Sequence, residues 1–334
     1  MRGFDVISIS GYGNSGASAV IDLLKADKDL QVDDKHEWQQ LHQCDGIFDL
    51  KYYLVNNRDK ISSNTAIKRF WNSLFDNRCI QIDRRYRKEY RKISSAYLHE
   101  LIQCEWDGYS ALDGREIQGI EKTWEGRVIL GGLRYLSRKL GYDLALPRSK
   151  KRYFSMLSEK EFDRITVKYL QRILKLSGFS ENKPVVLEQL FIYSDPLCGN
   201  HYFKSSKTIL IDRDPRDVYA SVKFSAKDGE PMRICRFFPS DNAESFIKYF
   251  KALHRNVTIN DSVYLLRFED LIYDTANTIE KLNLFLHTTI DVNKSGFNPQ
   301  KSRNNTQFYK RFPEIGSDIR MIEEALPEYL YPFS

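Results

Sequence analysis

Hydrophobic and polar positions along the chain follow two rhythms, one of strands and one of helices. Phe4 to Ile9 is rich in β-formers and runs into Gly11-Tyr12-Gly13-Asn14-Ser15-Gly16. Ala19, Val20, Leu23 and Leu24 then recur on one helical face. Leu30-Gln31-Val32 predicts a short second strand. The β signal returns at Val185-Val186-Leu187, Thr208-Ile209-Leu210-Ile211 and Val263-Tyr264-Leu265-Leu266. Between and after these, Phe246, Ile247, Phe250 and Leu253 share one helical face, as do Ile279, Leu282, Phe285 and Leu286. Strands alternating with helices predict an α/β fold of three layers, a central, mainly parallel sheet covered on both faces. Residues 41–165 break the rhythm with dense charge, scattered aromatics and weak strand signals. They are expected to be a largely helical insertion within a single domain spanning 1–334.

Composition narrows the classes. Of 334 residues, 42% are apolar and 29% charged, which excludes a disordered chain, collagen or a coiled-coil rod. No apolar run reaches the roughly 18–20 residues that span a bilayer. Asp5 and Ser8 interrupt the first apolar segment, so it does not read as a signal peptide and a cytoplasmic location is expected. Fifty-one basic against 45 acidic residues leave a net +6, which suits anionic ligands without demanding nucleic acid. The five cysteines contain no CxxC pair, so reduced thiols are expected, with neither a disulfide framework nor a metal site.

Two segments carry candidate chemistry. A strand, a glycine turn and a helix start bring backbone N–H groups together at the positive end of a helix dipole, a ready anion site. Gly13, Asn14, Ser15, Gly16, Ala17 and Ser18 supply it here, the serines adding hydroxyls. The loop lacks the lysine of GxxxxGK[ST], and its GxGxxG string alone also describes a structural tight turn. The second segment is Ile209-Leu210-Ile211-Asp212-Arg213-Asp214-Pro215-Arg216-Asp217-Val218-Tyr219-Ala220-Ser221. Arg213 leaves the C-terminal end of a strand, where α/β sheets bind ligands, and Pro215 suits the first helical turn. Arg213 and Ser221, eight residues apart, form a guanidinium fork and a hydroxyl for a phosphate.

On these residues the chain resembles the sulfotransferases that use 3′-phosphoadenosine 5′-phosphosulfate (PAPS). Arg213 and Ser221 match the family's RDPRD…S motif, which binds the 3′-phosphate. Gly13 to Ser18 occupy the place of its first nucleotide loop, and Arg267-Phe268-Glu269-Asp270-Leu271 resembles a late strand-end motif. The resemblance covers residues 3–40 and roughly 184–290 and leaves the insertion unmatched. It implies a P-loop NTPase-like sulfotransferase fold, PAPS as donor and adenosine 3′,5′-bisphosphate as product. It also implies transfer of a sulfuryl group to a carbohydrate hydroxyl, without metal. Asn14 stands where many members carry Lys or Arg, a transition-state cation worth ~2–4 kcal/mol. Lys35 is the substitute that the sequence offers.

In-line transfer to an alcohol needs a base for the acceptor proton. Asp33-Asp34-Lys35-His36-Glu37-Trp38 follows the second strand, where several bacterial and polysaccharide-modifying members of the family place a catalytic Glu. Glu37 is the first candidate there, His36 the second, and Glu188 at a strand end a third. A late basic segment with Lys301 and Arg303 is a candidate to close over the nucleotide. In the insertion, Asp83 to Lys92 holds six basic and two acidic residues, and Pro147-Arg148-Ser149-Lys150-Lys151-Arg152 adds a second cluster. They read either as solvated faces or as a positive wall for an anionic glycan, a lipid headgroup or a membrane surface, with tyrosines to stack on sugars. No nucleic-acid motif accompanies them. A P-loop-like kinase, a Rossmann oxidoreductase and a non-catalytic nucleotide-binding member of the same fold remain open alternatives.

Overall fold

The β-branched run at the N-terminus forms the middle strand of the molecule's main sheet. The computed structural model describes residues 3–57, 59–75, 84–108, 124–141, 150–224 and 239–333, so Asp83 and the 147–149 part of the basic runs lie outside the described residues. The chain begins β1 (Asp5–Ser10), α1 (Ala17–Leu24), β2 (Gln31–Glu37), α2 (Ile47–Lys51) and α3 (Lys60–Ser73). It continues α4 (Arg87–Leu101), β3 (Cys104–Gly108), α5 (Trp124–Lys139), β4 (Lys150–Phe154) and α6 (Glu159–Leu176). Then follow β5 (Val185–Glu188), β6 (Ser205–Asp212), α7 (Pro215–Phe224), α8 (Ala243–His254) and β7 (Val263–Arg267). The last elements are α9 (Phe268–Tyr273), α10 (Thr275–Leu286), α11 (Pro299–Arg303) and α12 (Gly316–Ala325).

Two units divide these elements. One comprises Met1–Gln43, Gln81–Tyr90 and Leu170–Ser334; the other comprises Cys44–Ile80 and Arg91–Tyr169. The first holds a five-stranded sheet in the order β2-β5-β1-β6-β7, every neighbouring pair parallel. Alternate side chains of β6 face opposite ways, as a pleat requires. Ile209 and Ile211 join α1, α9 and α10 in one core, with Ile7, Ile9 and Val186. Leu210 joins α7, α8 and α12 in another, with Val263. Helices thus cover both faces, the expected three layers. Burying each such aliphatic side chain stabilises the fold by ~1.5–3 kcal/mol. The serines of β1 face the other way and are satisfied locally: Ser10 Oγ donates to Phe191 O at 2.8 Å, and Phe191 N donates to Ser8 Oγ at 3.0 Å.

The second unit is largely helical but also holds an antiparallel ribbon, β3 with β4, in which Trp106 faces Arg152. Arg152 is buried, so it is no part of an exposed basic wall. Asp59 caps α3, and Tyr97 of α4 stacks on Tyr169 at 4.1 Å. Ser155 N donates to Ser63 Oγ at 3.0 Å, tying the segment after β4 to α3. Of the basic run, Arg91 lies over the Phe75 ring at 4.8 Å. Tyr90 is buried, and so is not placed to stack on a sugar. Among the described residues no helix is long and apolar enough to cross a membrane.

Candidate functional site

The order of the sheet reverses about β1, because the chain leaves it to one side toward β2 and later returns to the other side at β6. Ligands of open α/β sheets bind in the crevice at the C-terminal strand ends at such a reversal. Here the ends of β1, β2, β5, β6 and β7 all contribute to a cleft of about 480 Å3. It is lined by the loop from Tyr12 to Ser18 and by Glu37, Glu188, Gln189, Arg213, Ser221, Phe268, Lys301, Ser302 and Asn305.

The loop is shaped by close approach. A Cβ on Gly11 would collide with the Ser15 hydroxyl, and one on Gly16 with the Phe268 ring. Gly16 has φ 104° and Asn14 φ 64°, both left-handed, a conformation that glycine and asparagine adopt most readily. Ser15 N donates to Tyr12 O at 3.0 Å, which closes the turn. Gly16 precedes α1 with no side-chain cap; Ala19 N donates to Gly16 O at 3.0 Å, and the N–H groups of Ala17 and Ser18 are left to a ligand or water. Gln189, itself at φ 57°, braces the loop by donating its side-chain amide to Gly11 O at 3.0 Å.

The charged residues at the end of β6 divide by role. Asp214 is fully buried and caps α7 through Arg216 N at 2.9 Å; it also holds the Arg216 guanidinium at 2.9 and 2.6 Å. Asp217 accepts Gln307 N at 2.7 Å and Tyr309 N at 3.2 Å, so it pins the C-terminal segment. Burial pushes its acid up to about 6, although the Arg213 charge opposes this. Asp212 is a hub: it accepts the Tyr12 hydroxyl at 2.5 Å and contacts His254 Nε2 and Arg267 Nη1, each at 3.2 Å. Burial favours its neutral form, but the His254 ring, Arg267 and the Tyr12 hydroxyl together hold it below the usual carboxylate range. Only Arg213 and Ser221 of the motif line the cleft. Arg213 is 5% exposed, donates from Nη1 to Asn14 O at 2.7 Å and from Nη2 to Asn305 O, and lies over the Phe268 ring at 5.3 Å. Ser221 Oγ donates to Val218 O at 3.0 Å.

Among the described residues, three buried donors of this cleft have no hydrogen-bond partner: Asn14 Nδ2, Ser15 Oγ and Arg213 Nε. A buried donor without a partner costs ~1–3 kcal/mol, so a fold that gathers three is built to have them satisfied by something else. With a guanidinium and a helix N-terminus beside them, the arrangement suits an anion.

On the other wall, Glu37 and Glu188 are register partners in the β2–β5 pair. Burial, and then the Glu37 and Asp33 charges, push the Glu188 acid up to about 7. Glu37 is exposed and accepts from Gln39 Nε2. Asp33 to Glu37 belong to β2 itself, across a break in its register, rather than to a loop after it. Asp33 is buried and accepts Trp38 Nε1 at 2.7 Å. His36 contacts Asp33 at 3.3 Å, Lys35 is exposed, and neither lines the cleft. Arg303 is also outside the lining, stacked over Tyr273 at 4.8 Å, while Lys301 two residues earlier lines it. Gln189, Phe268 and Asn305 are the additions that sequence reading missed. Each lay in a segment that carried a signal: Phe268 in the Arg267-Phe268-Glu269-Asp270-Leu271 string, Gln189 beside Glu188 at a strand end, and Asn305 at the end of the late basic segment.

No protein-family model and no curated protein matches the chain. Among solved structures, the sulfotransferase STF1 from Mycobacterium tuberculosis H37Rv is 12% identical, with 91% of this chain and 77% of that one covered, at a TM-score of 0.35. The sulfotransferase STF9 from Mycobacterium avium is 13% identical, with 100% and 78% covered, at a TM-score of 0.36. A retinol dehydratase in complex with androsterone and inactive cofactor PAP is 14% identical, with 96% and 70% covered, at a TM-score of 0.27. Likeness at this level adds no weight to the site, whose reading rests on its own residues.

Proposed function

We propose that the chain is a PAPS-dependent sulfotransferase acting on a carbohydrate hydroxyl. The observation that carries this is that Asn14, Ser15 and Arg213, each with a buried donor left unbonded (Nδ2, Oγ and Nε), line one cleft together with Ser221. The donor group supplies a sulfuryl group already activated by its anhydride link to phosphate. The uncapped start of α1 with Ser15 and Ser18 fits the 5′ anion. Arg213 and Ser221 fit the 3′-phosphate, the Ser221 hydroxyl exchanging its bond to Val218 O for a ligand oxygen. Phe268 adds an apolar face beside the guanidinium.

Glu188 is the proposed base rather than Glu37. Its proton affinity near neutrality lets it take the acceptor's proton at physiological pH, and the Glu37 charge beside it maintains that affinity. Lys301 is the cleft cation proposed in place of the one that Asn14 lacks, a role for which Lys35 is not positioned. The neutral Asn14 also favours a second reading, a member that binds the nucleotide without turning it over.

Calorimetric titration with adenosine 3′,5′-bisphosphate, with ATP and NAD as controls, tests the site. Binding of the bisphosphate alone is expected. Arg213→Ala should weaken it by about 2–3 kcal/mol through loss of charged hydrogen bonds. Preference for ATP or NAD, or an unchanged affinity in the variant, refutes the assignment. Bisphosphate binding with no transfer from PAPS to a pool of glycans selects the non-catalytic reading.

A further inference from the structure

The second unit contains a cavity of its own, of about 860 Å3. That is within the roughly 300–1,000 Å3 of small-molecule sites. Among the described residues, every one that lines it belongs to this unit, and none lines the nucleotide cleft. Its apolar base is made by the buried Ala66 and Ile67 of α3 and Leu98 of α4. Three aromatic rings, Tyr53, Trp71 and Tyr153, contribute to the walls. Such rings offer flat apolar faces with polar edges.

The polar groups restrict what can enter. Asp59 accepts Ile61 N at 3.1 Å and Ser62 N at 2.8 Å, and the Ser62 bond first among its contacts holds its carboxyl below the usual range. It is therefore an ionised acceptor in the wall. Lys68, Arg69 and Lys151 also line the cavity, and none of them is without a partner: Arg69 is paired with Asp45, and Lys151 with Glu105 at 3.2 Å. An anionic ligand thus meets the Asp59 charge and three cations that already have partners of their own. A purely aliphatic ligand would strip water from Asp59, Asn72 and His99 without replacing it. A ring with an apolar face and hydroxyls around its edge satisfies both sets of groups.

We infer that this cavity binds an uncharged saccharide, its rings against Trp71, Tyr53 and Tyr153 and its hydroxyls donating to Asp59. The inference builds on the carbohydrate reading above and narrows the glycan to a neutral one. The test is an array of neutral and acidic oligosaccharides probed with the full chain, its Trp71→Ala and Asp59→Asn variants, and bisphosphate titrations of the same preparations. Trp71 is 38% exposed, and asparagine keeps the α3 cap, so both variants should fold. Wild type should bind neutral glycans. Trp71→Ala should lose about tenfold or more in affinity and Asp59→Asn about fivefold, with bisphosphate affinity unchanged. No glycan binding, a preference for acidic glycans, or undiminished binding by Trp71→Ala overturns the inference. Failure of bisphosphate binding with neutral-glycan binding intact overturns the nucleotide reading alone and supports this one.

Discussion

Replacing Glu188 with glutamine should make the protein more stable and less active at once. The side chain keeps its shape but can no longer ionise. In the folded chain the Glu188 acid stands at about 7 against an ordinary 4.5, because burial and the Glu37 and Asp33 charges oppose its anion. A raised acid contributes fully below 4.5, and its contribution is lost as pH rises through about 7, since the unfolded chain ionises more easily. At 1.36 kcal/mol per pH unit the gap corresponds to about 3 kcal/mol; residual water contact at this half-buried group reduces the expected figure to about 1–2 kcal/mol. Urea unfolding of both proteins at pH 4 and pH 8 measures it. The curves should coincide at pH 4, and the variant should gain about 1–2 kcal/mol at pH 8. Release of adenosine 3′,5′-bisphosphate from PAPS with a glycan pool should fall about 10²–10⁴-fold, the ordinary weight of a general base, with bisphosphate affinity retained. Wild-type turnover should rise with pH through about 7 as the base form accumulates. Equal stability at pH 8 would refute the reasoning about burial, and full turnover would return the base to Glu37.

Three further outcomes test the scaffold of the cleft. Gly16→Ala puts a methyl group against Phe268 at φ 104°, so it should cost about 1–3 kcal/mol in unfolding experiments and abolish bisphosphate binding; an unchanged melting temperature would mean that the loop relaxes freely. Tyr12→Phe removes a hydroxyl that donates to Asp212 and accepts Arg213 N–H at 3.1 Å. It should cost about 1–2 kcal/mol of stability and weaken bisphosphate binding; no effect on either would show that the Asp212 hub does not hold the loop. Lys301→Ala should reduce turnover of PAPS more than affinity for the bisphosphate, because a cation that acts on the leaving oxygen matters most in the transition state. Equal losses would make Lys301 a simple binding contact.

Much of this protein was legible in the order of its residues. The five strands of the main sheet, the loop from Gly13 to Ser18, Pro215 opening a helix, and the placing of Arg213 and Ser221 on one cleft all follow from short-range features. Apolar alternation, glycines at a tight turn and the spacing of a strand-turn-helix act within a few residues, so neighbouring identities suffice to determine them. What the tertiary structure decided depends on which distant segments lie side by side. Glu188 moves ahead of Glu37 as the proposed base because packing buries it and the pairing of β5 with β2 sets the Glu37 charge beside it. Asp214 and Asp217 look alike in sequence, yet one caps a helix and the other holds Gln307 and Tyr309. Lys301 and Arg303 are two residues apart on one short helix, and its orientation alone turns the first into the cleft and the second onto Tyr273. Local propensity specifies which elements form. Burial, charge environment and access arise only when remote elements pack, and those determine which of several similar side chains can act.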